Sequence, residues 1–297
     1  MDRNYENIKE IKRIRWLLFG VMFFIFTCEV LFQAVSSFMS NPPGNFVRMT
    51  IVEIVSFGVA LYLYGRLVKG KLSAKKDLIL NPVSVNSLIY PVILGFTSQF
   101  VIMLLNLPLQ YLNQLIFPKS GVIESESFSV LKFIAGVISA GVIPAFFEEI
   151  LFRGIVFKAY NRFSTKLAVI FTTFVFVIFH GKPECIFGYI FMSLMAVYIM
   201  RRCGSLYGAI VYHLFVNIGA VLFSMIAVNV VSVLWVIFVT MVLIFIIVLL
   251  IFHFKYPPCQ SVKSRKNVKL LIGSMLSLPM ILSYGIVVLR YWLLNFR

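Results

Sequence analysis

The sequence predicts an all-α fold, a polytopic bundle of eight or nine transmembrane helices. Of its 297 residues, 61% are hydrophobic and only 13% are charged, and the mean hydropathy is +0.97. A soluble domain is about half apolar and about a quarter charged. An α-helix needs about 20 apolar residues to cross about 30 Å of hydrocarbon. Stretches of that kind recur along the whole chain, so an ordinary soluble domain is excluded.

Apolar stretches long enough, or almost long enough, to span a membrane follow one another in the sequence. They cover residues 16–38, 49–68, 88–116, 130–158, 167–182, 185–200, 206–226, 229–253 and 270–293. The first is too long for the core of a signal peptide, and no small-residue cleavage pattern follows it. We therefore expect it to be a retained span. We divide the chain into N-terminal spans with a cytoplasmic arm (1–129), a motif-bearing core (130–226) and C-terminal spans (227–297).

Positive charge predicts the orientation of these spans. The net charge is +16, and Lys and Arg cluster in alternate loops, at 3–15, 66–76, 158–166, 201–202 and 255–269. Cytoplasmic loops collect Lys and Arg, so the N-terminus is expected on the cytoplasmic side of the cell membrane. The loop at 118–127 has one Lys and two Glu, as an outer loop would. We attribute the basic charge to topology and anionic lipid headgroups of the bilayer; no nucleic-acid motif accompanies it.

Three short runs place ionisable or amide side chains inside apolar stretches. They are FFEEILFRG at 146–154, FVIFH at 176–180 and HLFVN at 213–217. Such groups cost several kcal/mol in hydrocarbon unless they are paired or face a wet cavity, which makes them functional candidates. The candidates are Glu148, Glu149, Arg153, His180, His213 and Asn217.

The depth of these residues indicates one site. At 1.5 Å per residue, the Glu pair lies about 14 Å inward from Lys158, and His180 lies about 21 Å from Lys166. On the same estimate, His213 and Asn217 lie about 16 and 22 Å from Arg202. Three helices thus bring polar groups to one slab near the middle of the membrane.

The spacing of the candidate residues along the helices predicts different roles for them. Glu149 and Arg153 are four residues apart, on one helix face, and are expected to form an ion pair. Glu148 has no such partner, because Phe152 stands four residues after it; a general base fits its burial. His213 and Asn217 are also four residues apart and could donate hydrogen bonds to a developing oxyanion.

These motifs resemble those of the CPBP family, the CAAX proteases and bacteriocin-processing enzymes, which includes type II CAAX prenyl endopeptidases and Abi-like proteins. The family pattern has a Glu pair followed by Arg, then Phe and His, then His and Asn, in this order and spacing. The resemblance covers about residues 130–226, the catalytic core of our division. It implies a glutamate-dependent intramembrane peptidase in which Glu148 and His180 activate water. It further implies that His213 and Asn217 form the oxyanion hole, while Glu149 and Arg153 orient the helix.

Alternatives to this mechanism stay open at this point. In a zinc peptidase, the ligands and base would come from Glu148, Glu149, His180 and His213; no H-E-x-x-H motif is present, and we expect no cofactor. A non-catalytic scaffold or bacteriocin self-immunity protein would use the same fold to bind a partner. A proton-coupled transporter would be expected to show inverted repeats, which the sequence lacks.

The expected substrate is a peptide or a small membrane protein, of the CAAX type, a leader peptide or a bacteriocin-related chain. The oligomeric state is not predicted. Two further acidic residues, Glu29 and Glu53, occupy similar depths in the first two spans. We leave them out of the active site, because Glu53 lies near Arg48 and the interface and can extend toward water.

Overall fold

The computed structural model describes residues 3–40, 44–68, 80–117, 129–225, 231–262 and 268–295. In these ranges all regular structure is helical, which confirms the all-α prediction. The basic residues at 69–76 and 263–266 and the loop at 118–127 lie outside the described ranges.

Ten helices, which we number in chain order, account for most of these residues. They are α1 (Arg3–Ser36), α2 (Asn45–Val68), α3 (Val85–Ile116), α4 (Val130–Asn161), α5 (Thr165–His180), α6 (Ile186–Cys203), α7 (Leu206–Met225), α8 (Val231–Lys255), α9 (Val268–Met275) and α10 (Leu278–Asn295). A 3₁₀ turn at Pro183–Cys185 precedes α6.

The described helices support a polytopic membrane protein. Seven are long and apolar enough to cross a membrane, or eight if α9 and α10, which meet at a bend of 46°, form one span. The stretch predicted as a span at 167–182 instead forms α5, which has 16 residues and is thus about 24 Å long. It ends early because Gly181 has a φ of +60°, a left-handed conformation that stops the helix and favours glycine.

The chain divides into two compact units. Unit 1 comprises Met1–Leu80, Phe146–Gly181 and Gln260–Arg297, and unit 2 comprises Asn81–Ala145 and Lys182–Cys259. Helix α4 therefore contributes its first half to unit 2 and its second half to unit 1. The division at 129/130 and 226/227 was drawn from motifs, and it stays a prediction.

In unit 1, aromatic side chains join the second half of α4 to α5. The ring of Phe152 meets the rings of Phe176 and Phe179 edge to face, each at a centroid distance of 5.3 Å. Farther along, Tyr160 stacks on Phe171 at 4.2 Å. All five side chains are buried, and such pairs are worth about 0.5–1.5 kcal/mol beyond the area they bury. They fix how the two helices that carry the Glu pair and His180 lie against each other.

In unit 2, a glycine lets α3 approach α7 closely. A Cβ atom on Gly95 would lie only 2.4 Å from the carbonyl oxygen of Tyr212, so only glycine fits there. The hydroxyl groups of Tyr212 and Ser98 are hydrogen-bonded at 3.1 Å between the same two helices. Small residues and interhelical hydrogen bonds are the usual means of association in membranes. They hold the part of α7 that carries His213.

Candidate active site

Helix α4 departs from α-helical geometry on both sides of the Glu pair. Residues Ile143–Glu149 are α-helical, while Val137–Val142 before them and Ile150–Phe157 after them are π-helical. Pro144 lacks the N–H group that would continue the backbone hydrogen bonds of the first π-helical segment. This accounts for an irregularity of the helix at this point. π-Helical turns occur frequently at functional sites.

The ion pair expected from spacing is present. An Nη1 atom of Arg153 donates to Oε1 of Glu149 at 2.7 Å, and both side chains have no exposed surface. The guanidinium also lies 4.5 Å from the ring centroid of Phe176 on α5, a cation–π contact. The two buried charges thus neutralise each other and tie α4 to α5.

Glu148 and His180 come together in unit 1. Glu148 is 7% exposed, and its Oε2 atom is 3.8 Å from Nε2 of His180. This distance is too long for a direct hydrogen bond, but one water molecule can donate to or accept from both atoms. The Oε2 atom is buried and has no hydrogen-bond partner among the described residues. A buried acceptor without a partner is costly, so the pair suits a site that receives a water molecule.

The backbone of α5 fixes the tautomer of His180. Its Nδ1 atom lies 2.8 Å from the carbonyl oxygen of Phe176. A carbonyl oxygen only accepts hydrogen bonds, so Nδ1 carries the proton. In the neutral ring, Nε2 is then an acceptor. The lone pair of Nε2 and the carboxylate of Glu148 therefore face the same volume.

The two remaining motif residues lie in unit 2, on α7. His213 is buried, with 1% of its surface exposed, and Asn217 is partly exposed. They lie four residues apart on one helix, so their side chains project from one face. The structure thus brings Glu148, Glu149 and Arg153 together with His180 in one unit, and places His213 with Asn217 in the other.

An ion pair in unit 1, between Glu29 and Arg290, was not predicted from the sequence. Glu29 accepts two hydrogen bonds from Arg290, at 2.7 and 2.8 Å. Glu53 is partly exposed and its Oε2 atom is buried, so its expected extension toward Arg48 and the interface stays a prediction. The sequence feature that could have revealed this ion pair is Arg290, a cation within the last apolar stretch.

Among the described residues, no group of three or more His, Cys, Asp or Glu side chains is arranged as a metal site requires. The four ligands considered for a zinc mechanism do not form such a group there.

The segment that carries the candidate residues matches a known protein family. Residues 130–219 match the family described as type II CAAX prenyl endopeptidase Rce1-like. No curated protein and no solved structure matched the chain. The match supports a hydrolase, an intramembrane protease of the CAAX type. The matched segment is similar to the Rce1-like family, which confirms the resemblance to CPBP proteases.

The Glu149–Arg153 pair leads to a prediction about stability. Arg153→Met should destabilise the protein by about 3–5 kcal/mol, because it leaves the Glu149 carboxylate buried without its cation. Glu149→Gln combined with Arg153→Met removes both charges and should recover most of that loss. The measurement is the midpoint of thermal unfolding in detergent. Equal midpoints for the single and double variants would contradict the assignment.

Proposed function

We propose that this protein is a glutamate-dependent intramembrane endopeptidase that cleaves a peptide or a small membrane-associated substrate. The observation that carries the proposal is the facing pair of Glu148 Oε2 and His180 Nε2, 3.8 Å apart, on helices of a membrane protein. A buried carboxylate beside an imidazole acceptor, with the other imidazole nitrogen engaged by the backbone, suits activation of water.

In the proposed reaction, Glu148 removes a proton from water while the oxygen attacks the scissile carbonyl carbon. Nε2 of His180 accepts a hydrogen bond from the same water and orients it. The tetrahedral intermediate then collapses, the C–N bond breaks, and the leaving nitrogen takes up the proton that Glu148 removed from water. The products are a carboxylic acid and an amine.

We further propose that His213 and Asn217 donate hydrogen bonds to the oxyanion of that intermediate, as the family pattern implies. Donors held in place before reaction need no reorganisation as charge develops. The close approach of Gly95 on α3 to the carbonyl oxygen of Tyr212 packs α7 at the residue before His213. Glu149 and Arg153 are proposed to hold the helix that presents Glu148.

The proposed substrate class is broad: a CAAX-type tail, a leader peptide or a bacteriocin-related chain. We propose that the protein resides in the cell membrane with its N-terminus in the cytoplasm, on the basis of the alternating basic clusters. We also propose that catalysis needs no metal, since two carboxylates, two imidazoles and an amide suffice for the acid–base and oxyanion roles.

The general-base assignment predicts the loss of activity in Glu148→Gln. Proteolysis of a candidate peptide by purified protein in detergent should fall by at least about 10²-fold, with unchanged thermal stability. His180→Ala should behave alike, and the double variant should lose little more, because both residues act on one water. Glu10→Gln, which alters an ion pair with Arg162 at the protein surface, is the matched control. Wild-type turnover in Glu148→Gln would refute the assignment.

The metal-free mechanism predicts full activity after exhaustive chelation. Activity and elemental composition are measured on the same preparation before and after treatment. Zinc present in stoichiometric amount, with activity lost on its removal and restored on its return, would replace the proposed mechanism by a zinc-dependent one.

Substitution of Asn217 tests whether the protein is an enzyme or instead a scaffold or a bacteriocin self-immunity protein. Losing one oxyanion donor costs about 10²–10³-fold in kcat, while ground-state binding changes little. Asn217→Ala should therefore lower kcat by that factor with a nearly unchanged KM, whereas Asn86→Ala, at an exposed site of unit 2, should change neither. If the cellular phenotype survives in Asn217→Ala, Glu148→Ala and His213→Ala alike, the protein acts by binding.

A further inference from the structure

The ends of α6 and α8 in unit 2 carry positive charge that no neighbouring carboxylate offsets. Arg201 and Arg202 lie in the last turn of α6, and Lys255 ends α8. The one carboxylate in the described part of unit 2 is Glu184, in the 3₁₀ turn before α6. Helix α6 has 18 residues and is thus about 27 Å long. Glu184 therefore lies at the opposite end of α6 from these cations.

Arg202 joins the end of α6 to the end of α8. Its Nη1 atom donates to the backbone carbonyl oxygens of His253 and Tyr256. The last carbonyl groups of a helix lack partners within it, and they form the negative end of its dipole, which favours a cation. The Nη2 atom is 2.9 Å from Nδ1 of His253, and the guanidinium carbon is 4.7 Å from the ring centroid of Tyr198. Arg202 thus holds both rings in place.

These contacts leave two hydrogen-bond donors without an acceptor. A guanidinium only donates, so Nδ1 of His253 accepts from Arg202, and Nε2 of the neutral ring carries the proton. This Nε2–H group donates to no described residue, and the side chain is exposed. The hydroxyl group of Tyr198 is also 3.0 Å from Nδ1, but Nδ1 has a single lone pair. The hydroxyl proton is therefore available to another acceptor.

An apolar cavity of about 220 Å³ lies next to these donors, between α6 and α8. It is lined by Met195, Tyr198, Leu249, Leu250 and His253. Tyr198 and His253 come about one helical turn nearer the helix ends than the apolar lining residues, so the polar groups mark one end of the cavity. Leu250 is 52% exposed, so the cavity opens along the surface of α8.

We propose that this end of unit 2 binds an anionic phospholipid. The phosphate accepts hydrogen bonds from Nε2 of His253 and from the hydroxyl group of Tyr198, and the guanidinium of Arg202 offsets its charge. One acyl chain occupies the cavity between α6 and α8. The basic clusters predict the cytoplasmic side for this end, where anionic lipids give the leaflet its negative surface. The proposal does not depend on the peptidase function.

The combination of donors and cavity favours a phospholipid over other anions. A free phosphate ion would use the donors but leave the apolar cavity unused. An acidic peptide would supply carboxylates but no long apolar chain. A phospholipid with a choline headgroup would bring a second cation close to Arg202, where like charges repel. An anionic phospholipid satisfies the donors, the charge and the cavity together.

The first experiment measures lipid binding to the purified protein by native mass spectrometry. Phosphatidylglycerol should bind at least about 10-fold more tightly than phosphatidylcholine with identical acyl chains. Tyr198→Phe and His253→Phe keep an aromatic ring and remove one donor, so each should lower the affinity for phosphatidylglycerol about 10-fold.

The matched control for these two variants is Lys255→Gln. It removes a charge from the same helix end, but Lys255 contacts Tyr90 and Tyr256 rather than the cavity, and its variant should bind as the wild type does. Equal affinity of the wild type for the two lipids overturns the proposal, and this comparison needs no substitution. Equal losses in Lys255→Gln and the donor variants also overturn it, because they indicate general attraction between charges.

The second experiment tests the cavity and distinguishes a lipid from a free phosphate ion. Leu249→Trp fills the cavity and should lower the affinity for phosphatidylglycerol at least about 10-fold, since burial of each methylene group contributes to lipid binding. Leu243→Trp, at an exposed position of α8 outside the cavity, should change nothing. Inorganic phosphate should not displace the lipid from the wild type. Undiminished binding in Leu249→Trp, or displacement by inorganic phosphate, overturns the proposal.

Discussion

A charged side chain inside hydrocarbon costs several kcal/mol unless an opposite charge, hydrogen bonds or a proton offsets it. This constraint governs the arrangement of unit 1. Arg153 lies four residues from Glu149 and neutralises it, and Arg290 reaches Glu29 from the other end of the sequence. Each pair also joins helices, because Arg153 packs on Phe176 of α5 and Arg290 bridges α1 and α10. The Oε2 atom of Glu148 has no hydrogen-bond partner among the described residues and faces Nε2 of His180, and this is the physical basis for proposing that Glu148 reacts.

Apolar packing supplies the precision that the proposed chemistry needs. The edge-to-face contacts of Phe152 with Phe176 and Phe179 set α4 against α5. The hydrogen bond from His180 Nδ1 to a backbone carbonyl then turns Nε2 toward Glu148. Each of these interactions is modest in energy, but together they allow the 3.8 Å approach of an acceptor nitrogen to a carboxylate oxygen.

The sequence predicted much of this arrangement because membrane helices have strong local signals. Apolar length predicted the spans, and the four-residue spacing predicted the Glu149–Arg153 pair. The motif order predicted the Rce1-like segment that the family comparison confirmed. The roles of His213 and Asn217 stay predictions.

The features that were not predicted from the sequence depend on other parts of the chain. Hydropathy does not report where a glycine such as Gly181 stops a helix, so the span predicted at 167–182 ended two residues beyond the observed end of α5. It also does not report that Glu29 and Arg290, separated by 261 positions, meet at one place.

The most direct test of the central claim is the structure of the protein with a peptide phosphonate, an analogue of the tetrahedral intermediate. The proposed mechanism predicts that one phosphonate oxygen, in the position of the attacking water, lies within hydrogen-bond distance of both Glu148 Oε2 and His180 Nε2. A phosphonate that inhibits competitively but contacts neither atom would contradict activation of water by this pair.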